Sequence, residues 1–136
     1  MAERSFKLEI VTLTRVVYTG EAVSIVAPAS LGYIGIMANH APLATDVAIG
    51  ILKIREPGSE EVFMTVTDGF LVVANNEVSI LVNASERSTE IDVERARASI
   101  ERARERLASR GPDVDVARAE AALKRAGARL KLAGAV

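Results

Sequence analysis

The chain has 136 residues, nearly half of them apolar, which suits one ordinary domain or a small domain with an appendage and excludes wholesale disorder. It has no cysteine, so disulfides and thiolate chemistry are excluded, and no apolar run approaches the ~20 residues that span a bilayer. The net charge of −1 hides an asymmetry: Met1 to Glu90 carries 6 Lys/Arg against 11 Asp/Glu, Ile91 to Val136 carries 11 against 7, and every aromatic residue precedes the break.

At the N-terminus Glu3 and Arg4 lead straight into a strand pattern, which does not read as a signal peptide, and a soluble chain in a reducing, cytoplasmic setting is expected. Phe6, Leu8 and Ile10 alternate with Lys7 and Glu9, as in a half-buried strand. Further strands are expected at Val16–Tyr18, Ala22–Ala27, Tyr33–Met37, Ile49–Arg55, Glu61–Thr67, Phe70–Ala74 and Val78–Asn83. Turn chemistry separates them at Tyr18-Thr19-Gly20, Glu56-Pro57-Gly58-Ser59, Asp68-Gly69 and Asn75-Asn76. Short strands with short turns and no helical interludes predict antiparallel pairing in a sandwich or flattened barrel. The longer stretch Ala38 to Asp46, with His40 and Pro42, reads as a functional loop.

The period changes after Asp92. Val93, Ala96, Ile100, Ala103 and Leu107 step by three and four, and Val116, Ala119, Leu123, Ala126 and Leu130 repeat those steps. Superposing the two seams sets Arg95, Arg102 and Arg106 on Arg118, Arg125 and Arg129. Ser109-Arg110-Gly111-Pro112-Asp113 breaks the pattern, with Asp113 or Asp115 available to cap the second helix, so an antiparallel hairpin is expected. Its alanine-rich seam buries little area, which predicts a hairpin docked loosely enough to move as a unit.

One histidine without a sequence partner, no cysteine and no Walker-type glycine loop argue against a catalytic site, and no His/carboxylate spacing suits a metal. His40 is expected to orient its loop or to lie at an interface. Nucleic acid is disfavoured, because the helices lack aromatics for stacking and mix seven carboxylates with their basic groups. A solvated face of i,i+4 pairs would account for any one arginine. Arginines repeated on both helices of a hairpin, however, call for an anion or an acidic surface.

Three segments then carry a resemblance: "GYIGIMANHAPLATDVAIGILKIR" (Gly32 to Arg55), "VTDGFLVVANNEVSILVNASER" (Val66 to Arg87) and "IDVERA" (Ile91 to Ala96). Together, and in this order, they resemble the epsilon subunit of bacterial and chloroplast F-type ATP synthases, with Gly32, Gly35, His40 and Pro42 as the more specific spacing. The resemblance implies an N-terminal ten-stranded antiparallel β-sandwich over residues 1–89 and a C-terminal antiparallel α-helical hairpin over 90–136. It implies a noncatalytic central-stalk subunit with the gamma subunit and the c-ring as partners, at the cytoplasmic face of the inner membrane or at a thylakoid membrane. Neither nucleic-acid binding nor insertion into the membrane belongs to this picture. Ser30, Leu31, Tyr33 and His40 are similar to the c-ring-facing loops of that family. The hairpin is similar to the family's regulatory element, which permits turnover when folded down. When extended it restrains ATP hydrolysis and faces the beta and alpha subunits.

"IDVERA" also matches the I-D-x-x-R-A pattern through which some such subunits bind ATP in the folded-down state. By position the resemblance implies contacts from Glu86, Ile91, Asp92, Arg95, Ala96, Arg102, Arg125 and Arg129, with no required cofactor and ATP as a regulatory ligand. A stand-alone nucleotide-sensing module is the alternative. The chain departs from the family's usual Leu-Pro at Met37-Ala38 and from Gly-Gly at Asp68-Gly69, and Gly127 is expected to interrupt the second helix.

Overall fold

A computed structural model describes residues 4–58, 60–109 and 111–134; Glu3, Ser59 and Arg110, named above, lie outside them. Ten strands come first: β1 (Phe6–Val11), β2 (Val16–Ala22), β3 (Ser24–Ala29), β4 (Gly32–Met37), β5 (Leu43–Val47), β6 (Gly50–Arg55), β7 (Glu61–Val66), β8 (Gly69–Ala74), β9 (Glu77–Val82) and β10 (Ser85–Arg87). A 3₁₀ turn (Ser88–Glu90) leads into α1 (Val93–Ser109) and α2 (Val116–Leu132). The strands form two five-stranded sheets in the orders β2-β1-β9-β8-β5 and β10-β7-β6-β3-β4.

The alternation read in the sequence decides which residues face inward. Phe6, Leu8 and Ile10 of β1 and Val78, Ile80 and Val82 of β9 meet Ile25, Ile36, Leu52, Ile54 and Met64 of the facing sheet, all buried. Burying each large aliphatic side chain stabilises the sandwich by about 2 kcal/mol, so this core carries the fold. Pairing is antiparallel except between β1 and β9, which run parallel with Leu8 opposite Val78 and Ile10 opposite Ile80. No short turn joins these two strands, so local turn chemistry could not announce their pairing.

Several expectations are corrected. Thr19 and Gly20 make no turn, because β2 runs through them to Ala22. Gly20 instead leaves room for Tyr18: a Cβ there would lie 3.3 Å from the phenol oxygen. That hydroxyl donates to Glu56. Burial, reinforced by the Glu56 carboxylate, pushes the phenol well above its ordinary pKa. Part of the stretch Ala38 to Asp46 belongs to strand β5, and Ser85–Arg87 forms a further strand, β10, that no residue pattern announces. Gly127 does not interrupt α2, which is continuous from Val116 to Leu132.

Asp92 caps α1 by accepting from Arg95 N at 3.0 Å, and Asp115 rather than Asp113 caps α2, accepting from Arg118 N at 3.0 Å. The helices meet along Ala96, Ala103, Ala119 and Ala126, all buried, with Val93 and Ile100 partly buried beside them. Val116, expected in this seam, is 44% exposed, since it lies in the first turn of α2 before the helices close. α2 packs on the outer face of β6 and β7, and α1 packs mainly on α2.

The β7–β8 corner has one strict requirement. A Cβ on Gly69 would lie 1.9 Å from the carbonyl oxygen of Leu81 and 2.7 Å from Val82 Cα, both backbone atoms of the neighbouring strand. Gly69→Ala is therefore expected to destabilise the sandwich by about 2 kcal/mol or more, read as a lower urea midpoint. An unchanged midpoint would show that the β8–β9 pairing gives way without loss.

Candidate functional site

The site is built at the junction of sandwich and hairpin. Glu86 on β10 faces Thr65 on β7, whose hydroxyl accepts from Glu86 N at 3.1 Å and donates to its carbonyl at 3.4 Å. This double contact fixes the backbone, and the Glu86 side chain reaches across to α2, where Arg129 Nε donates to its Oε1 at 2.5 Å. Both side chains are less than a third exposed, so the pair is shielded more than a surface ion pair.

Beyond β10 the chain closes a 3₁₀ turn in which Arg87 N donates to Glu90 Oε1 at 3.0 Å. The other oxygen of Glu90 accepts from Arg15 at 3.0 Å. The hydrogen bond from the Arg87 amide, then that from Arg15, holds the Glu90 carboxyl below its ordinary pKa. The Arg87 guanidinium itself lies over the Tyr18 ring, 5.7 Å from its centre.

Between this neck and the two helices is a hollow of about 300 Å³, lined by Glu86, Glu90, Asp92, Arg95, Ala96, Ser99, Arg102 and Arg129. Its charge balance is informative. Glu86 is matched by Arg129, Glu90 by Arg15, and Asp92 is engaged at the N-terminus of α1. Among the described residues, Arg102 donates only to the neutral Ser99 hydroxyl, at 3.0 Å, and Arg95 has no side-chain partner. Two guanidinium groups without counter-charge thus face one polar hollow, with a third at its margin. Such an arrangement suits a ligand with several anionic oxygens, which arginine can meet in a bidentate fashion.

Six of the eight residues expected at a nucleotide site line this hollow: Glu86, Asp92, Arg95, Ala96, Arg102 and Arg129. Ile91 and Arg125 do not. Ile91 is the extended link between the 3₁₀ turn and α1, and Arg125 lies one helical turn before Arg129. Glu90 and Ser99 were missed. Position could have found Ser99, which lies one turn after Arg95 on the same face of α1.

The four loop residues are not brought together. Ser30 and Leu31 form the β3–β4 turn, where Ser30 N donates to Asp46 at 3.2 Å and Leu31 is fully exposed. Tyr33 follows near that end of β4, whereas His40 lies beyond the opposite end, a strand length of roughly 20 Å away. There the His40 ring lies 2.7 Å from the Ala41 carbonyl, and Asn76 accepts from Asn39 N at 2.7 Å while donating to Ser5 O at 2.9 Å. Larger hollows exist around Phe70 and Leu81 and around Tyr33 and Phe63, the second bordered by Lys131 and Leu132 of α2; both are mainly apolar, with two aspartates (Asp46, Asp68) at the first and two lysines (Lys53, Lys131) at the second.

The neck should respond to acid. Because the Glu90 pKa is lowered on folding, its contribution is present above the unfolded carboxylate value and lost as pH falls through the folded one. Hydrogen exchange in the first turn of α1 is expected to quicken as pH drops through that window, after correction for intrinsic rates, and Glu90→Gln should flatten the response. An equal pH response in wild type and variant would assign the effect to another carboxylate.

Two family models match the chain: the beta-sandwich domain of the ATP synthase Delta/Epsilon chain over residues 5–88, and its long alpha-helix domain over 89–134. The ATP synthase epsilon chain of Carboxydothermus hydrogenoformans is 58% identical over 134 residues, 98% of each chain. That of Moorella thermoacetica is 50% identical over 132 residues, covering 97% of this chain and 98% of the relative. Among solved structures, a chain of the Euglena gracilis mitochondrial ATP synthase (OSCP/F1/c-ring, rotational state 1) is similar with a TM-score of 0.81 at 22% identity, covering 93% of this chain and 79% of that one. A chain of the Tetrahymena thermophila mitochondrial ATP synthase central stalk and c-ring is similar with a TM-score of 0.58 at 17% identity, covering 98% and 97%. At these identities the structures speak for the fold, and the matched models and relatives speak for descent. The chain belongs to the epsilon chain family of F-type ATP synthases.

Proposed function

We propose that the chain is a noncatalytic subunit of the central stalk, joining the gamma subunit to the c-ring, and that its hairpin regulates ATP hydrolysis. In the folded-down arrangement the hairpin holds ATP in the hollow between neck and helices. Extended, it presents its arginines to the beta and alpha subunits and restrains hydrolysis. The observation that carries the nucleotide part is the pair of uncompensated guanidinium groups, Arg95 and Arg102, facing one hollow with Arg129 at its edge. Phosphate oxygens would supply the missing counter-charge. Asp92 and the surrounding backbone would meet the adenine, and bound nucleotide would stabilise the folded-down state by mass action.

The regulatory part is supported by the division of the core. The sandwich has a closed apolar interior of its own, while the hairpin is held by alanines, Leu130 and the Glu86–Arg129 pair. No described helix is long and apolar enough to cross a membrane, and the subunit is proposed to be held at the cytoplasmic face of the membrane through its partners.

Two measurements test these readings. Deleting Ile91 to Val136 should leave a cooperatively folding sandwich that still co-purifies with gamma, and should raise the ATPase activity of the complex. Unchanged activity would remove the regulatory role, and failure of the full chain to co-purify with gamma while it still binds ATP would favour a stand-alone nucleotide-sensing module. Titrating the full chain with ATP should shift the amides of Arg95 and Arg102, and Arg95→Ala should weaken binding on the order of tenfold, as expected for one charge-assisted contact. No response at millimolar ATP would remove the nucleotide role.

A further inference from the structure

We infer that Arg15, which belongs to the sandwich and does not line the hollow, is a positioning residue of the ATP site and acts through Glu90. The inference rests on the nucleotide reading given above and adds to it a residue remote in sequence.

Glu90 uses both of its carboxylate oxygens. Oε1 accepts from Arg87 N and closes the 3₁₀ turn; Oε2 accepts from Arg15, 75 positions earlier in the chain. The first bond shapes the turn, and the second fixes that turn against the sandwich. Arg15 has a firm base, since its carbonyl accepts from Thr12 N at 2.9 Å and from the Thr12 hydroxyl at 3.3 Å, closing the β1–β2 turn. Arg87, the other nearby cation, is engaged over the Tyr18 ring.

The direction in which the chain leaves Glu90 sets the start of α1. Ile91 is extended (φ −80°, ψ 125°), Asp92 caps the helix, and Arg95 and Ala96 follow within its first turn. The remaining support of α1 is largely its contact with α2 along small alanine side chains, which resist sliding weakly. A rotation at the 3₁₀ turn therefore moves Arg95 relative to Arg129, and the Arg15–Glu90 pair opposes that rotation. Both partners are more than a third exposed, so the effect is modest.

The test uses the full-length chain, ATP titration followed by amide shifts, and hydrogen exchange in the first turn of α1. Arg15→Ala should weaken ATP binding about two- to fivefold and quicken exchange there, with the thermal midpoint of the sandwich unchanged. Arg15→Lys, which keeps the charge, should recover most of the affinity. Glu90→Gln keeps an oxygen for Arg87 N but loses the ionic partner; it should match Arg15→Ala, and the double variant should bind no more weakly than either single one. Wild-type affinity and exchange in Arg15→Ala, or losses that multiply in the double variant, would overturn the inference. If the wild type ignores millimolar ATP the nucleotide reading falls, and exchange alone decides whether Arg15 positions the hairpin.

Discussion

The ion pair between Glu86 and Arg129 is the contact around which the two halves of the molecule are arranged. Glu86 is anchored on the sandwich side by the Thr65 hydroxyl, and Arg129 is carried on the helix that lies against β6 and β7. Removing one partner would leave the other charge partly buried and unmatched, a larger penalty than the pair's net contribution. The same pair also occupies one of the guanidinium groups that borders the hollow. A polyanionic ligand must share Arg129 with Glu86 or displace it, so ligand binding and hairpin docking draw on one side chain.

The apolar contacts are divided unequally. The sandwich interior is filled by Phe6, Leu8, Ile10, Leu52, Ile54, Met64, Leu71 and Ile80, each almost wholly buried. Among its described residues the hairpin buries four alanines and Leu130, and an alanine methyl contributes less than half of what a leucine does. The sandwich is thus self-sufficient in apolar burial, whereas the hairpin depends on contacts it can exchange. The regulatory proposal asks for that inequality.

Much of this was readable from residue pattern, and the omissions have physical causes. The alternation of Phe6 to Ile10 and of Val78 to Val82 announced strands because one face of each is buried and the other is not. β5 was obscured because Pro42 precedes it and only Val47 of the strand is fully buried. β10 is three residues, Ser-Glu-Arg, paired along one edge; no periodicity can be read from so short a polar strand. The expectation of ten strands therefore came from resemblance, not from pattern. At the site, the matched spacing found Asp92, Arg95 and Arg102, from the start of α1 and one face of it, and Arg129 from α2. It missed Glu90, because its partner Arg15 is far away in sequence and only the fold brings the two together. Arg125 was included by its position in the family resemblance, although the rotation of α2 brings Arg129, not Arg125, to the hollow.

The parallel pairing of β1 with β9 also bears on how the protein is made. β1 lies inside its sheet, between β2 and β9, so one of its edges has no partner until the ribosome has delivered the ninth strand. At ordinary rates of synthesis that interval is on the order of several seconds. Through it, the nascent chain carries an early apolar strand with an open edge, the kind of surface that pairs with neighbouring chains or recruits a chaperone. The hairpin emerges last, onto a sheet that is by then complete. A defect late in the sandwich, such as a side chain at position 69, would therefore expose β1 during biosynthesis, and its first sign could be poor yield.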